Sequence, residues 1–432
     1  MRLALLISLA LTLCAQPENE EYRVYTDHPR LLLTAQRLRL LKRERERESQ
    51  RWRQFDSLVK GGVNFPEPGF ALALYYAVSA DATAGKRALD WALGSGNDLR
   101  QLALVYDWCQ PLLDSQQSAA LSAKIRQRLE KSTGDTLAAR RDRILALISI
   151  ADDARHAEEA PLRHFVESWW RINPDLPPLP GAYALMESLH ALRDNLKIDL
   201  RERAPDAFAH FPIYLISANY PAPYRAPQNE FRIPMYPGSG APDLNAAALA
   251  RAAGLSMVDY NTNDLDNQFL QGWLIQDRFI MLTPFGAPYE FLWADPYQPG
   301  LSFYQLPLIF HDSASGTLFV RSAWDEDADW FGLYQGDAEL FHDGRAGPVK
   351  PGATLRLGET TIVSGHIPLQ FSMQGGTILV TGQKPFEKYL VETDDEEMRE
   401  VSADRAGTFI LEYPVGRTAG VRVHEPWPSP SP

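Results

Sequence analysis

The feature that most constrains this chain is a change of hydrophobic period near residue 317. Before it, apolar residues recur at three- and four-residue spacing; after it, they alternate. The first period lays one face of a helix on a core, and the second lays one face of a strand. A chain that switches once and does not switch back builds a helical region and then a sheet region, not repeated β-α-β units. With 432 residues it has room for two or three domains, each with its own core.

In the first part, Thr34 is positioned to cap a helix carrying Leu38 and Leu41 on one face. That helix runs into KRERERES (42–49), whose alternating signs read as a solvated face or, alternatively, as a basic patch. ALALYYAVSADATAGKRALDWAL (71–93) continues the helical pattern, and Asp114 or Ser115 caps a helix with Leu121, Ile125 and Leu129 at i, i+4 and i+8. Further helices are expected at 136–151, 160–171, 181–197, 244–258 and 266–281. The proline- and tyrosine-bearing stretch 212–245 reads as a long ordered loop, and Gly286 to Tyr304 as a second connection. From 317 onward TLFVRSA, WFGLYQG, ATLRLG, TTIVSG, LQFSMQ, TILVTG, KYLVET, TFILEY and GVRVHE are short strands at roughly ten-residue spacing, the pattern of a β-sandwich.

The N-terminus, MRLALLISLALTLCAQPENEE, has the basic, apolar and polar order of a secretory signal, and its apolar run is too short for a stable span. Cleavage near Ala15 or Gln16 leaves Cys109 as the only cysteine, so no intramolecular disulfide is expected. The organisation expected is a signal peptide at 1–16, a helical domain at 22–305, a β-sandwich at 306–425 and a disordered tail at 426–432. A net charge of −12 argues against a nucleic-acid partner. Once the signal is removed, no membrane association is expected, and the destination is the periplasm or the exterior. Ten Trp and seventeen Tyr suit sugar stacking and a large core alike.

Three phrases resemble one family. DHPRLLLTAQRLRLL (27–41) looks like the opening of heparinase II/III-like proteins, LALVYDWCQPLLDSQQSAAL (102–121) resembles a helix pair of that family, and GTLFVRSAWDEDADWFGLYQGD (316–337) resembles the first two strands of its sandwich. The resemblance implies an incomplete (α/α) toroid followed by a short antiparallel β-sandwich. It also implies a cleft between them and β-elimination on uronic-acid polysaccharides. The chain departs from the family after the second sandwich strand. A histidine-rich phrase usual there is replaced by GDAELFHDGRAGPVKPG (336–352), which keeps one His-Asp pair, His342 and Asp343.

β-Elimination needs a group to neutralise the carboxylate, a base for the α-proton and an acid for the leaving oxygen. In GAYALMESLHALRDNL (181–196), Leu185, Leu189, Leu192 and Leu196 form an apolar stripe. Tyr183, Glu187, His190 and Asp194 form a polar one at the same spacing. Tyr183, Glu187 and His190, with His342, are the catalytic candidates; the polar stripe reads equally as a packing or solvent face. Tyr220, Tyr224, Arg225, Asn229, Glu230 and Arg232 are the substrate-binding candidates, rings for sugars and polar groups for a carboxylate. His342 and Asp343 are expected to point to opposite faces, and Asp343-Gly344 is itself a turn signal.

No metal-ligand spacing, P-loop, dinucleotide fingerprint or serine-hydrolase elbow occurs, so neither a metal nor a cofactor is expected. DEDAD (325–329) reads as a hairpin turn or a calcium clutch, and DDEE (394–397) as solvated. The functional expectation is an exported protein that acts on or binds an acidic polysaccharide or oligosaccharide, by β-elimination if active. The alternatives are a non-catalytic carbohydrate-binding protein and a glycoside hydrolase pairing Glu187 with Glu230 or Asp243.

Overall fold

A computed structural model describes residues 22–151, 158–172, 179–203, 208–225, 230–231, 243–276, 280–334, 336–394 and 398–426. Among these, thirteen α-helices precede the main sheets. They are α1 (Ala35–Glu46), α2 (Gln50–Lys60), α3 (Pro68–Ser79), α4 (Ala82–Leu93), α5 (Leu99–Trp108), α6 (Ser115–Lys131) and α7 (Leu137–Ser149). Then come α8 (Glu159–Ile172), α9 (Leu179–Leu196), α10 (Phe211–Ser217), α11 (Leu244–Tyr260), α12 (Leu265–Gln276) and α13 (Gly286–Trp293). Their starts are written in the sequence. Thr34, Ser49, Asp81, Asp98, Thr136 and Asp243 each accept a backbone N–H of the first turn, and Asp114 forms a reciprocal capping box with Gln117.

The odd-numbered helices from α3 to α13 form a ring: α3 packs on α5, α5 on α7, α7 on α9, α9 on α11, and α11 on α13, which packs on α2 and α3. Helices α4, α6, α8, α10 and α12 lie outside it. Inner helices α9 and α13, which both adjoin α11, run in the same direction: Tyr183 meets Tyr289 while His190, further along α9, meets Trp293, further along α13. An inner helix is enclosed on all sides, so α9 buries both its leucine stripe and most of its polar stripe. Two expected connections are shorter than anticipated. Phe211–Ser217 and Gly286–Trp293 are helices, and almost every residue in them is buried, which erases the one-sided period that marks a surface helix. Pro212 and Pro288 sit in their first turns, where a missing N–H costs nothing.

The remainder is a stack of three sheets. The first is an antiparallel meander of β3 (Ile309–Asp312), β4 (Thr317–Arg321), β5 (Trp330–Tyr334), β6 (Asp337–His342) and β7 (Arg345–Pro348). The second has the order β14 (Phe409–Tyr413), β11 (Gly376–Thr381), β9 (Thr360–Ser364), β8 (Thr354–Leu357). The third has the order β10 (Leu369–Met373), β15 (Ala419–His424), β12 (Lys388–Thr393), β13 (Met398–Ser402). All nine strands read from the sequence are present. Every pairing in these sheets is antiparallel except β9 with β11, so the purely antiparallel expectation is corrected at that one pair.

Alternation assigns the layers. In β11, Ile378 and Val380 join Val391, Val421 and Val423 of the third sheet, whereas Leu379 joins Leu318, Val320, Phe331 and Leu333 of the first. The other face of the first sheet, through Phe319, Trp330, Tyr334 and Phe341, belongs to the helical core. Strands β4 and β5 are therefore buried on both faces. The seam to the helices is polar as well. Trp330 Nε1 donates to the Ser217 carbonyl (2.8 Å), and the Arg321 guanidinium donates to the Asn219 carbonyl.

Candidate functional site

The ring has two mouths, and each collects polar side chains. At the N-terminal mouth Gln101, in the first turn of α5, accepts the Gly69 N–H (3.0 Å) at the start of α3. Gly69 also leaves room for Trp91 of α4, since a Cβ would lie 2.3 Å from its ring. That docking brings Glu67, just before α3, to Arg100 (3.4 Å). Arg100 donates through Nε (2.8 Å) and Nη2 (2.7 Å) to Glu187 of α9, and Arg141 of α7 donates to the same carboxylate (3.0 Å). Tyr183 donates its hydroxyl to Glu187 (2.7 Å) and accepts from Trp293 Nε1 (2.9 Å). Tyr289 of α13 donates to Glu67. Helices α5, α7, α9 and α13 thus place a charged or phenolic group around one axial carboxylate, with Glu67 added from the start of α3.

The electrostatics close this cluster. Burial alone would raise the Glu187 carboxyl; Arg100 and Arg141 more than offset it and hold the group below the ordinary range. Burial, reinforced by Glu187, pushes the Tyr183 phenol well above its usual value, and burial with Glu67 does the same to Tyr289. Tyr183 and Glu187 are 1% and 0% exposed. A phenol this hard to ionise is a poor base, and a carboxylate held by two guanidiniums is a poor acid. Solvent reaches only the edge, at Glu67, Arg141 and Asp142. Burial raises the Asp142 carboxyl against the opposing pull of Arg141.

At the C-terminal mouth, α9, α11 and the segment after α13 face α1 across a cavity of about 1060 Å³. His190 lies in its floor, 2% exposed, with Nε2–H donating to the Ser256 carbonyl (2.9 Å) and Nδ1 facing Arg193 (3.4 Å). Burial lowers its pKa, and Trp293 and Tyr260 enclose the ring at 4.5 and 4.9 Å. Arg193 pairs with Asp194 (2.9 Å), Arg37 pairs with Asp259, and the Tyr260 ring carries Arg193 and Arg201 at 3.8 and 4.3 Å. The stripe Tyr183-Glu187-His190-Asp194 therefore does not line one cleft. Tyr183 and Glu187 belong to the closed mouth, His190 and Asp194 to the open one.

The other candidates fall elsewhere. Tyr220 is a seam residue: it is buried, donates its hydroxyl to Glu339 (2.7 Å), stacks on Phe341 and meets Trp330 edge-on. It offers no ring to a sugar. Tyr224 and Arg225 pair with Phe231 and Glu230 as two short strands, β1 (Tyr224–Arg225) and β2 (Glu230–Phe231). Asn229 and Arg232 lie outside the described residues. His342 ends β6 on the sheet region, 59% exposed on its side chain, with Nδ1 at 2.6 Å from Asp329. That hydrogen bond and charge raise its pKa. Asp343 and Gly344 form the hairpin turn with φ of 50° and 72°, and the turn swings Asp343 to 3.5 Å from His342 Nε2, so the two do not point apart as expected. Asp243 is the exposed cap of α11, whereas Glu187 is sealed.

Arg100, Arg141, Glu67, Tyr289 and Trp293 were not among the sequence candidates. A usable signal existed for Arg100, a lone cation in the largely apolar helix LRQLALVYDW. Two of the three phrases that carry the family resemblance are tied together by structure. Asp107 accepts the Arg30 and Leu31 N–H groups (3.0 and 2.8 Å) and the His28 ring, and Trp108 Nε1 donates to the Leu31 carbonyl (2.9 Å).

No family model matches the chain, and no curated protein matches it. Among solved structures, heparan sulfate lyase HepC from Pedobacter heparinus is similar over 84% of this chain and 76% of its own, with 13% identity and a TM-score of 0.39. A GH127 β-arabinofuranosidase is similar over 93% of this chain and 80% of its own, with 8% identity and a TM-score of 0.30. Likenesses this faint say nothing about which residues do chemistry.

Proposed function

We propose that this chain is an exported carbohydrate-binding protein whose partner is an acidic polysaccharide, built on a helical ring with stacked sheets and carrying no β-elimination through Tyr183 or His190. One observation carries the reading: both proton carriers expected from the sequence are buried and spend their polar atoms on protein partners. The polysaccharide partner is supported by the three heparinase II/III-like phrases, and export by the N-terminal signal pattern. The histidine-rich phrase is reduced to His342, whose contacts are Asp329 and Asp343, both in the sheet region.

The test is incubation with alginate, heparan sulfate, hyaluronan and pectin in turn. Ultraviolet absorbance of the unsaturated product, new reducing ends and retention on each immobilised polysaccharide are read in parallel. Retention on at least one, with neither product signal, is expected. Ultraviolet-absorbing product would overturn the non-lyase reading, and reducing ends without it would point to hydrolysis. A hydrolase reading would draw on Asp142 and Glu67, the partly exposed carboxyls at the N-terminal mouth, not on Glu187.

A further inference from the structure

We propose that the cavity at the C-terminal mouth is the saccharide site, and that Arg39 and Arg43 receive the anionic group of a carboxylated or sulfated sugar unit. This rests on the polysaccharide-binding reading and names the place and the chemistry. The volume, about 1060 Å³, is that of a site for several sugar rings, since ligand pockets commonly run from about 300 to 1,000 Å³. Its wall is polar: Asn261, Thr262 and Gln298 offer amide and hydroxyl groups suited to sugar hydroxyls.

Charge pairing then separates the four arginines of the wall. Arg37 is ion-paired to Asp259 and Arg193 to Asp194, and the third aspartate, Asp295, accepts the Tyr297 N–H (2.9 Å). Arg39 and Arg43 have no carboxylate partner among the described residues; Arg43 lies 4.2 Å over the Tyr297 ring. They stand four residues apart on α1 and therefore share one face, and like charges at that spacing repel unless an anion is placed between them. Guanidiniums bind carboxylate and sulfate oxygens in two-point fashion, which sets orientation as well as sign. Arg37, 3% exposed, also lines the cavity and keeps its Nε without a hydrogen-bond partner among the described residues. It is a buried donor left over after the ion pair is made.

The test is calorimetric titration of the whole protein with oligogalacturonate, a heparan sulfate oligosaccharide and neutral cello-oligosaccharide, at low and high salt. Arg39→Ala/Arg43→Ala is expected to weaken binding of the anionic oligosaccharide at least about tenfold and to flatten its salt dependence. Arg39→Lys/Arg43→Lys is expected to restore the salt dependence with part of the affinity. Oligogalacturonate offers carboxylates alone and the heparan sulfate oligosaccharide carboxylates with sulfates, so tighter binding of the second shows that sulfate adds to recognition. Lys388→Ala, exposed on the third sheet, is the surface control. Anionic binding that survives the double alanine variant undiminished would overturn the assignment and leave the binding reading standing elsewhere on the molecule. If the parent binds none of the panel, the polysaccharide reading itself falls, and this assignment with it.

Discussion

The two mouths of the helical ring hold similar residue types and use them differently. At the N-terminal mouth two arginines, two tyrosines and two glutamates, Glu187 at their centre, satisfy one another, and solvent reaches only the edge, at Glu67 and Arg141. At the C-terminal mouth two Arg-Asp pairs are made, and Arg39 and Arg43 are left over beside an open cavity. Residue type alone does not make a site. A guanidinium spent on a buried carboxylate fixes helices, and one left facing solvent can take a ligand.

The largest effect that would break this contrast is at Glu187. Replacing it by leucine leaves Arg100 buried with only the longer Glu67 contact, and Arg141 without its inner partner. Loss of a buried pair of this kind costs about 3–5 kcal/mol. Urea unfolding of Glu187→Leu should show that loss, and Glu187→Leu/Arg100→Met should recover part of it. A loss below about 1 kcal/mol would mean that water already enters the cluster, and the two mouths would then be alike.

Asp259→Asn probes the other mouth and should cost less, about 1–2 kcal/mol. Arg37 is buried there, but Asp259 is 27% exposed, so solvent already screens the pair. The same unfolding measurement checks it. A cost equal to that of Glu187→Leu would show that the C-terminal mouth is held together by charge as tightly as the N-terminal one.

Much of the fold was legible because its signals are local. Caps such as Thr34 and Asp114, the leucine stripe of α9 and the alternation in β11 each act within a few residues. The missed helix Gly286–Trp293 shows the limit: it is enclosed on every side, so its sequence has no polar face to set a period. The site was less legible for a related reason. On α9 the polar stripe was visible, but whether it faces water depends on Arg100, Arg141 and Trp293, which lie 87, 46 and 110 residues away in sequence. Tyr220 likewise shows as a free ring until Glu339, 119 residues on, takes its hydroxyl.

The smallest expected effect is a slope in pH, and it separates the mouths by the group that titrates. Burial lowers the His190 pKa, with Arg193 adding to that and Asp259 and Asp194 opposing it, so the folded imidazole stays neutral where an unfolded one would be protonated. The unfolded chain then binds the extra proton, and stability falls as pH drops from about 6.5 towards the lower folded value. Glu187 is also depressed, but as a carboxylate its contribution is complete above about pH 4.3 and is lost only as pH falls through its lower folded pKa. Unfolding midpoints between about pH 7 and 5 should therefore decline in the parent and flatten in His190→Gln, whereas Glu187→Gln should leave that limb unchanged and alter the more acidic one. Exposed His342, raised by Asp329, has the opposite sign: what it contributes is present at low pH and lost as pH rises through its folded pKa. A neutral-to-acid decline that survives His190→Gln would place the titrating group outside the C-terminal mouth.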